Sequence, residues 1–392
     1  MDTIDVFQED PAMKKTLYLH IGAHKTGTTA LQHFLSANRE ILKNQGYLYP
    51  GNDYAHHDMA HEFSSLSLPE IRKNRNCATR RFFNEINSSH FDTIIMSSED
   101  FENMSPEIPF LKEFLSPDFH VKIIYYVRRQ DDKLESTYSE YVKSPVKRYD
   151  KPISVFIKEK TGQVPDDPEK PEKNRGKPRH SDYYSILMPW CEAFGRNNII
   201  VRCYEKEQLP EGIYHDFLDA VGLVLNTGYW IPKTRFNESL NIDLLEMIRL
   251  CNARFNNNSN FHRFLLGNLT QINSKNSGIK QHYLSPAQRR EIITIFEESN
   301  ARIAREYLGR CDGRLFYAPL PDSNEPWEPN EGLTAEKTII ILSQILFNID
   351  RQMKQSKDRT LRQKLMQKII TTSSRIGLLP AMSHWYHRFR KF

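Results

Sequence analysis

The 392-residue chain has no apolar run long enough to cross a bilayer: its longest, from Thr338 to Ile349, falls short of the roughly 20 residues a spanning helix needs. It has few cysteines, five at positions 77, 191, 203, 251 and 311, and no Cys-x-x-Cys pair, so reduced structural thiols are expected rather than a disulfide framework. Met1-Asp-Thr-Ile-Asp-Val6 offers neither a basic region nor an apolar stretch, so no secretory signal is expected and the cytoplasm is the expected location. No internal repeat is evident. An excess of one charge is nearly absent, 54 Lys and Arg standing against 49 Asp and Glu for a net +5, but the little there is sits in one place. Residues 351–392 hold eleven Lys or Arg and one acid, leaving 43 cations against 48 anions in the rest. Mixed with aromatics in Ser383-His-Trp-Tyr-His-Arg-Phe-Arg-Lys-Phe392, that charge suits a helix lying on an anionic membrane surface, and equally packing helices with a solvated basic face. Nucleic acid is not an expected partner, because no recognised binding module accompanies the charge.

What is present begins at Leu17-Tyr-Leu-His-Ile-Gly-Ala-His-Lys-Thr-Gly-Thr-Thr29, a strand pattern that breaks into a glycine-bearing loop and enters a helix. Leu31, Phe34, Leu35 and Leu42 share one helical face, and Gly46 offers a stop. Such a loop points backbone N–H groups and a helix N-terminus at one spot, which holds phosphate or sulfate esters. Gly22 and Gly27 have the spacing of the nucleoside-triphosphatase loop, but Thr28 stands where that motif needs lysine. The lysine lies inside the loop instead, at Lys25, beside the first phosphate and the group leaving from it.

A second strand pattern, Val121-Lys-Ile-Ile-Tyr-Tyr-Val127, ends in Arg128-Arg129 before a helix that Asp131 is expected to cap. Arg128 and Ser136, eight residues apart, can close on one anion, the arginine through a charged fork and the serine through a neutral hydroxyl. A surface arginine and a back-bonded serine are the plainer readings of each alone.

The loop His24-Lys25-Thr26-Gly27-Thr28-Thr29, with Val127-Arg-Arg-Gln-Asp-Asp132 and Ser136, closely resembles the two nucleotide-binding segments of sulfotransferases of the bacterial, carbohydrate type. Those enzymes use 3′-phosphoadenosine 5′-phosphosulfate (PAPS) as co-substrate and release 3′-phosphoadenosine 5′-phosphate (PAP). The resemblance implies that Lys25, Thr26, Gly27, Thr28 and Thr29 hold the 5′-phosphosulfate, while Arg128 and Ser136 hold the 3′-phosphate. It also implies that Tyr204, ending Asn198-Ile-Ile-Val-Arg-Cys-Tyr204, lies near the adenine. Arg235-Phe-Asn-Glu-Ser-Leu240 resembles the segment that closes over the nucleotide, which would add Arg235. His24 replaces the proline of many relatives, placing a titratable group near the chemistry.

Sulfuryl transfer to an alcohol needs a base and stabilisation of the bridging oxygen. Lys25 is suited to the second task. For the first, Glu99 ends Phe91-Asp-Thr-Ile-Ile-Met-Ser-Ser98 at the strand edge where ligands bind in open α/β sheets, and carbohydrate sulfotransferases resemble this. His20 and His24 are the alternatives, and Asp100 reads as a helix cap. No metal is expected: no acidic cluster resembles a Walker-B partner, and nothing completes a tetrahedral site with His56, His57 and His61. His24, His57 and Arg129 are candidate acceptor-side residues, with Lys143, Lys147 and Arg148 available to an acidic sugar or else solvated.

Strand and helix patterns alternate from Thr16 to about Tyr204, so the expected fold is a three-layer α/β, P-loop-like fold with a central parallel sheet flanked by helices and a helical C-terminal region. The expected divisions are an extension over 1–15, a catalytic domain over 16–330 and a basic helical tail over 331–392. Within the domain, the proline- and charge-rich stretch 163–180 reads as a mobile loop, and Ser285-Pro-Ala-Gln288 as the capping box of one helix running to Gly309. The expected function is transfer of a sulfuryl group from PAPS to a carbohydrate or polysaccharide hydroxyl. A P-loop kinase or NTPase, and a non-catalytic nucleotide-binding scaffold at a membrane, are the alternatives.

Overall fold

Five runs rich in apolar residues pair into one parallel sheet: β1 (Lys15–His20), β2 (Tyr47–Leu48), β3 (Thr93–Ser97), β4 (Phe119–Val127) and β5 (Ile199–Cys203), in the order β2-β3-β1-β4-β5. The computed structural model describes residues 14–74, 77–162, 181–232, 240–255, 258–273, 282–322, 324–329 and 332–355. The expected loop 163–180, Arg235, and the basic tail from residue 356 lie outside the described residues.

These residues form two compact units. One contains the described residues within 14–140, 151–232 and 282–329, and the other those within 141–150, 240–273 and 332–355. In the first unit β1 is central, with His20 opposite Ser97 of β3 and Ile124 of β4, while Val127 of β4 lies opposite Cys203 of β5. Parallel strands buried on both faces read as continuous apolar runs, which is why β4 carries Ile123, Ile124, Tyr125, Tyr126 and Val127 without a polar break.

Alternate residues feed two cores. Leu17, Leu19, Met96, Ile123 and Tyr125 pack against α3 (His57–Ser65), α4 (Leu68–Lys73), α5 (Ala78–Ser88), α6 (Ile108–Leu115), α9 (Tyr183–Phe194) and α14 (Glu297–Leu308). On the other face Ile95, Ile124 and Tyr126 meet α1 (Thr28–Ala37), α2 (Arg39–Asn44) and α10 (Ile213–Ala220). The layering is helix, sheet, helix, as the alternating pattern predicts. The remaining helices of this unit are α7 (Gln130–Lys143), whose last residues pass into the second unit, α8 (Ile153–Thr161) and α13 (Pro286–Ile295).

Two expected helices are each divided. The first helix breaks at Asn38, whose side-chain amide donates to Phe34 O and Trp230 O, both at 2.8 Å, and whose oxygen accepts from Trp230 N at 2.8 Å. A partner 192 residues away thus takes the turn out of the helical ladder. The later one starts at its Ser285–Gln288 capping box but divides at Phe296, which ends α13 and precedes α14. In the second unit, α11 (Ile242–Phe255), α12 (Ser259–Asn273) and α15 (Ala335–Gln355) bury Leu244, Ile248, Leu265, Leu269, Ile341, Ile345 and Ile349, and Asn252 donates to Val142 O and Tyr149 O. Helices 240–273 therefore cluster with residues 332–355. Among the described residues no helix is long and apolar enough to cross a membrane.

Candidate active site

The carboxyl ends of β3, β1, β4 and β5 lie side by side, and the chain passes to opposite sides of β1, the arrangement that leaves a ligand crevice in open α/β sheets. Each of these strands delivers one segment singled out in the sequence. They are Glu99 and Asp100 after β3, the 22–29 loop after β1, Arg128 after β4 and Tyr204 after β5.

The loop is wound for an anion. Lys25 and Gly27 have positive φ, 69° and 79°, while their neighbours do not, and such alternation turns successive N–H groups to one side. Ala23 N donates to Tyr126 O at 2.9 Å and His24 N to a Glu102 carboxylate oxygen at 2.7 Å, so the donors left for a ligand begin at Lys25. Gly27 is also the N-cap of α1, which has no side-chain cap and no acid in its first turn, so the positive end of the helix is left to a ligand. Thr26 is buried and anchors the loop by donating to Ala23 O at 2.6 Å, and Thr28 and Thr29 begin the helix. A Cβ on Gly27 would stand 3.0 Å from the Tyr204 ring, so the glycine is needed for its conformation and for the approach of Tyr204.

Arg128 reaches this loop directly. Its Nη1 donates to Lys25 O at 2.9 Å, and its guanidinium carbon lies 5.8 Å from the centre of the Tyr204 ring. The two sequence segments, 103 residues apart, therefore meet on the same sheet edge. Ser136 is half-buried in α7, about two turns beyond its start. Lys25 Nζ lies 3.2 Å from Glu140 Oε2, one turn further along α7, a residue that the sequence reading missed. An acid on the anion-binding face has no local signature.

Glu99 opens a 3₁₀ turn, Glu99–Asn103, and accepts from Gln32 Nε2 of α1 at 2.6 Å. Its Cβ is 3.3 Å from where a Gly22 Cβ would lie, so it sits against the loop. Ser98, not Asp100, caps this turn, accepting from Asp100 N at 3.2 Å. Asp100 faces histidines instead: His57 Nδ1 at 2.9 Å, His61 Nε2 at 3.1 Å and His24 Nε2 at 4.0 Å. The hydrogen bond that the His57 ring donates to the Asp100 carboxylate raises the His57 pKa. Burial works upward on Asp100, but its histidine partners outweigh it and hold the carboxyl below its usual range. His57 Nδ1 also lies 2.9 Å from Ser98 Oγ, and His24 Nε2 3.1 Å from Asn103 Nδ2.

Three expectations need correction. Arg129 is 7 % exposed and its donors go to Asp131 and to Pro319 O, so it is a buried tie and does not face an acceptor. Asp131 lies within the first turn of α7, which begins at Gln130, and is held by Arg129 and Arg289 rather than capping the helix. His20, an alternative base, is fully buried between the edges of Tyr126 and Phe217, with Nδ1 2.7 Å from Ser97 Oγ and its pKa lowered to about 3 by burial. No substrate reaches it there. Among the described residues, the one group of ligand atoms close enough to share a metal ion is Asp132, Glu135 and His282, in which His282 Nδ1 already lies 2.8 Å from Glu135.

No protein-family profile matches the chain. A protein of Archaeoglobus fulgidus described as uncharacterized is 30% identical over 218 residues, 55% of this chain and 54% of the relative, so the chain spans about half the length of the curated relative it matches. Among solved structures, a sulfotransferase from Alicyclobacillus acidocaldarius aligns with a TM-score of 0.37 at 14% identity, covering 64% of this chain and all of the other. Mouse sulfotransferase SULT7A1 complexed with PAP aligns with a TM-score of 0.32 at 12% identity, covering 72% and 89%. Likenesses of this extent decide nothing about chemistry, which rests on the site itself.

Proposed function

We propose that this chain is a PAPS-dependent sulfotransferase acting on a carbohydrate hydroxyl. The observation that carries the reading is the contact of Arg128 with the Lys25 carbonyl, with Tyr204 packed between Gly27 and the guanidinium. One adenosine with a phosphate at each end fits two cradles so joined: amides 25–29 and the α1 terminus for the 5′ group, Arg128 and Ser136 for the 3′-phosphate, Tyr204 for the base.

In this reading Lys25 meets the bridging oxygen as negative charge develops there. Glu99 takes the proton of the acceptor hydroxyl as the new S–O bond forms and the S–O bond to the phosphate breaks, releasing PAP. His24 and His57 stand on the acceptor side with Asp100. Arg235 keeps its expected role of closing over the nucleotide. The basic sequence from Arg351 is assigned to a peripheral contact with an anionic membrane, which sedimentation with phosphatidylserine vesicles tests: a chain that stays in the supernatant loses this assignment.

The decisive experiment is a melting scan with PAP against Mg²⁺-ATP. At a ligand concentration about 100 times its Kd, PAP is expected to stabilise the protein by about 2.7 kcal/mol, and ATP by much less. Stabilisation by Mg²⁺-ATP without any by PAP would turn the assignment to a kinase or NTPase. Binding of PAP with full biological function in E99Q would turn it to a non-catalytic scaffold.

A further inference from the structure

Beneath the loop lies an ion pair removed from solvent. Lys133 is fully buried and Glu102 is 7 % exposed, with Nζ and Oε1 2.7 Å apart. Buried pairs are weak stabilisers, because desolvation offsets much of their attraction, so the position of this one is more informative than its strength. Glu102 belongs to the 3₁₀ turn that begins with Glu99, and its carboxylate accepts from three separate elements. These are His24 N of the phosphate loop, Tyr125 OH of β4 and Lys133 Nζ of α7, each at 2.7 Å.

Lys133 lies one turn before Ser136 on α7, and its ammonium is 4.8 Å from the centre of the Tyr183 ring. The Tyr183 hydroxyl accepts from Arg128 N at 3.2 Å and donates to Arg128 O. A continuous line of contacts therefore runs from the amide of the loop at residue 24, through Glu102 and Lys133, to both elements that present Ser136 and Arg128.

We propose that Glu102 and Lys133 are positioning residues that couple the two phosphate cradles, so that filling one end of the nucleotide tightens the other. The inference rests on the donor site proposed above. Coupling free energy between sites is reciprocal and can be measured from binding alone.

The test uses four probes, adenosine, 5′-AMP, 3′-AMP and PAP, titrated calorimetrically into the full chain. The product of the two monophosphate Kd values, divided by the product of the PAP and adenosine values, measures the coupling. It is expected to exceed about tenfold in the wild type, within the range usual for coupled sites. In E102Q/K133M it should fall at least fivefold. That double variant leaves no unpaired buried charge, and its Gln can accept from His24 N through its amide oxygen while its NH2 donates to the Tyr125 hydroxyl oxygen, so the tie to α7 is cut while those to the loop and β4 are kept. A merely structural role would weaken all four ligands alike and leave the ratio unchanged, which would overturn the proposal. Should E102Q/K133M fail to fold, E102D keeps both charges while shortening the reach, and an unchanged ratio there is equally fatal. A wild type that binds no PAP refutes the donor site itself, whereas PAP bound with a ratio near one refutes the coupling alone.

Discussion

Lys25, the lysine of the phosphate loop in the proposed site, stands on a backbone that ordinary side chains avoid. K25A is expected to abolish sulfuryl transfer, and R128A to abolish it chiefly by weakening PAP binding; unchanged PAP affinity in R128A would remove Arg128 from the 3′-phosphate. E99Q should bind PAP normally while losing about 10²–10⁴ of its rate, the usual contribution of a positioned base. A near wild-type rate would move the proton to His24, the alternative left once His20 is found fully buried. In the proposed site Glu140 would compete with the donor for Lys25, so E140Q should bind PAP about threefold more tightly, a gain of roughly 0.7 kcal/mol; weaker or equal binding would show that the 3.2 Å contact has no part in donor binding. G27A combines a left-handed alanine, costing about 1–2 kcal/mol, with a 3.0 Å contact to Tyr204. Both a lower Tm and weaker nucleotide binding should follow, and a variant with wild-type values would show that Tyr204 does not need that approach.

At the scale of elements, the 3₁₀ turn Glu99–Asn103 joins the phosphate loop, α1, α3 and α7. Its five residues send Glu99 to α1, Asp100 to the histidines of α3, Glu102 to the phosphate loop and α7, and Asn103 to His24. The sequence made the end of the strand legible, since apolar residues give way to acids there, but not the separate destinations of four side chains within one turn. Those depend on which elements arrive from elsewhere. The same limit explains Arg129 and Asp131, whose types suggested an acceptor-side cation and a helix cap. Arg289, 158 residues on from Asp131, and the Pro319 carbonyl make them a buried cluster. It also explains the break at Asn38, where the helical face runs on through Leu42 but Trp230 claims the side chain.

At the scale of the whole molecule, buried histidines set one part of the pH response. Burial lowers His20 to about 3 and His56 to about 4, so the folded protein keeps both neutral while the unfolded chain protonates them near 6.5. Stability should therefore fall as the pH drops from about 6.5 towards about 4, with extra proton uptake on unfolding. Calorimetric scans between pH 7 and 4 measure it, and a flat Tm there would contradict the burial of these rings. His57 and Asp100 act with opposite signs. The raised His57 value contributes stability that is present below 6.5 and lost as the pH rises through the folded value. The lowered Asp100 value contributes stability that is present above its ordinary 3.8 and lost as the pH falls through the folded value. H57Q should thus cost stability in mildly acidic solution and little in alkaline solution.

The sequence by itself determined the strand–loop–helix units, the inward-placed lysine, the arginine after the fourth strand and the parallel, three-layer plan. Each of these is written in local periodicity, in caps and in backbone permissions, which act over a few residues. Only the tertiary structure decided that Arg128 would touch the Lys25 loop, that Glu102 and Lys133 would join beneath it, and that Arg129 would be buried. Those outcomes depend on strand order and on partners dozens to hundreds of residues apart, where packing and the need to pair every buried charge select one arrangement among many that share the same local pattern.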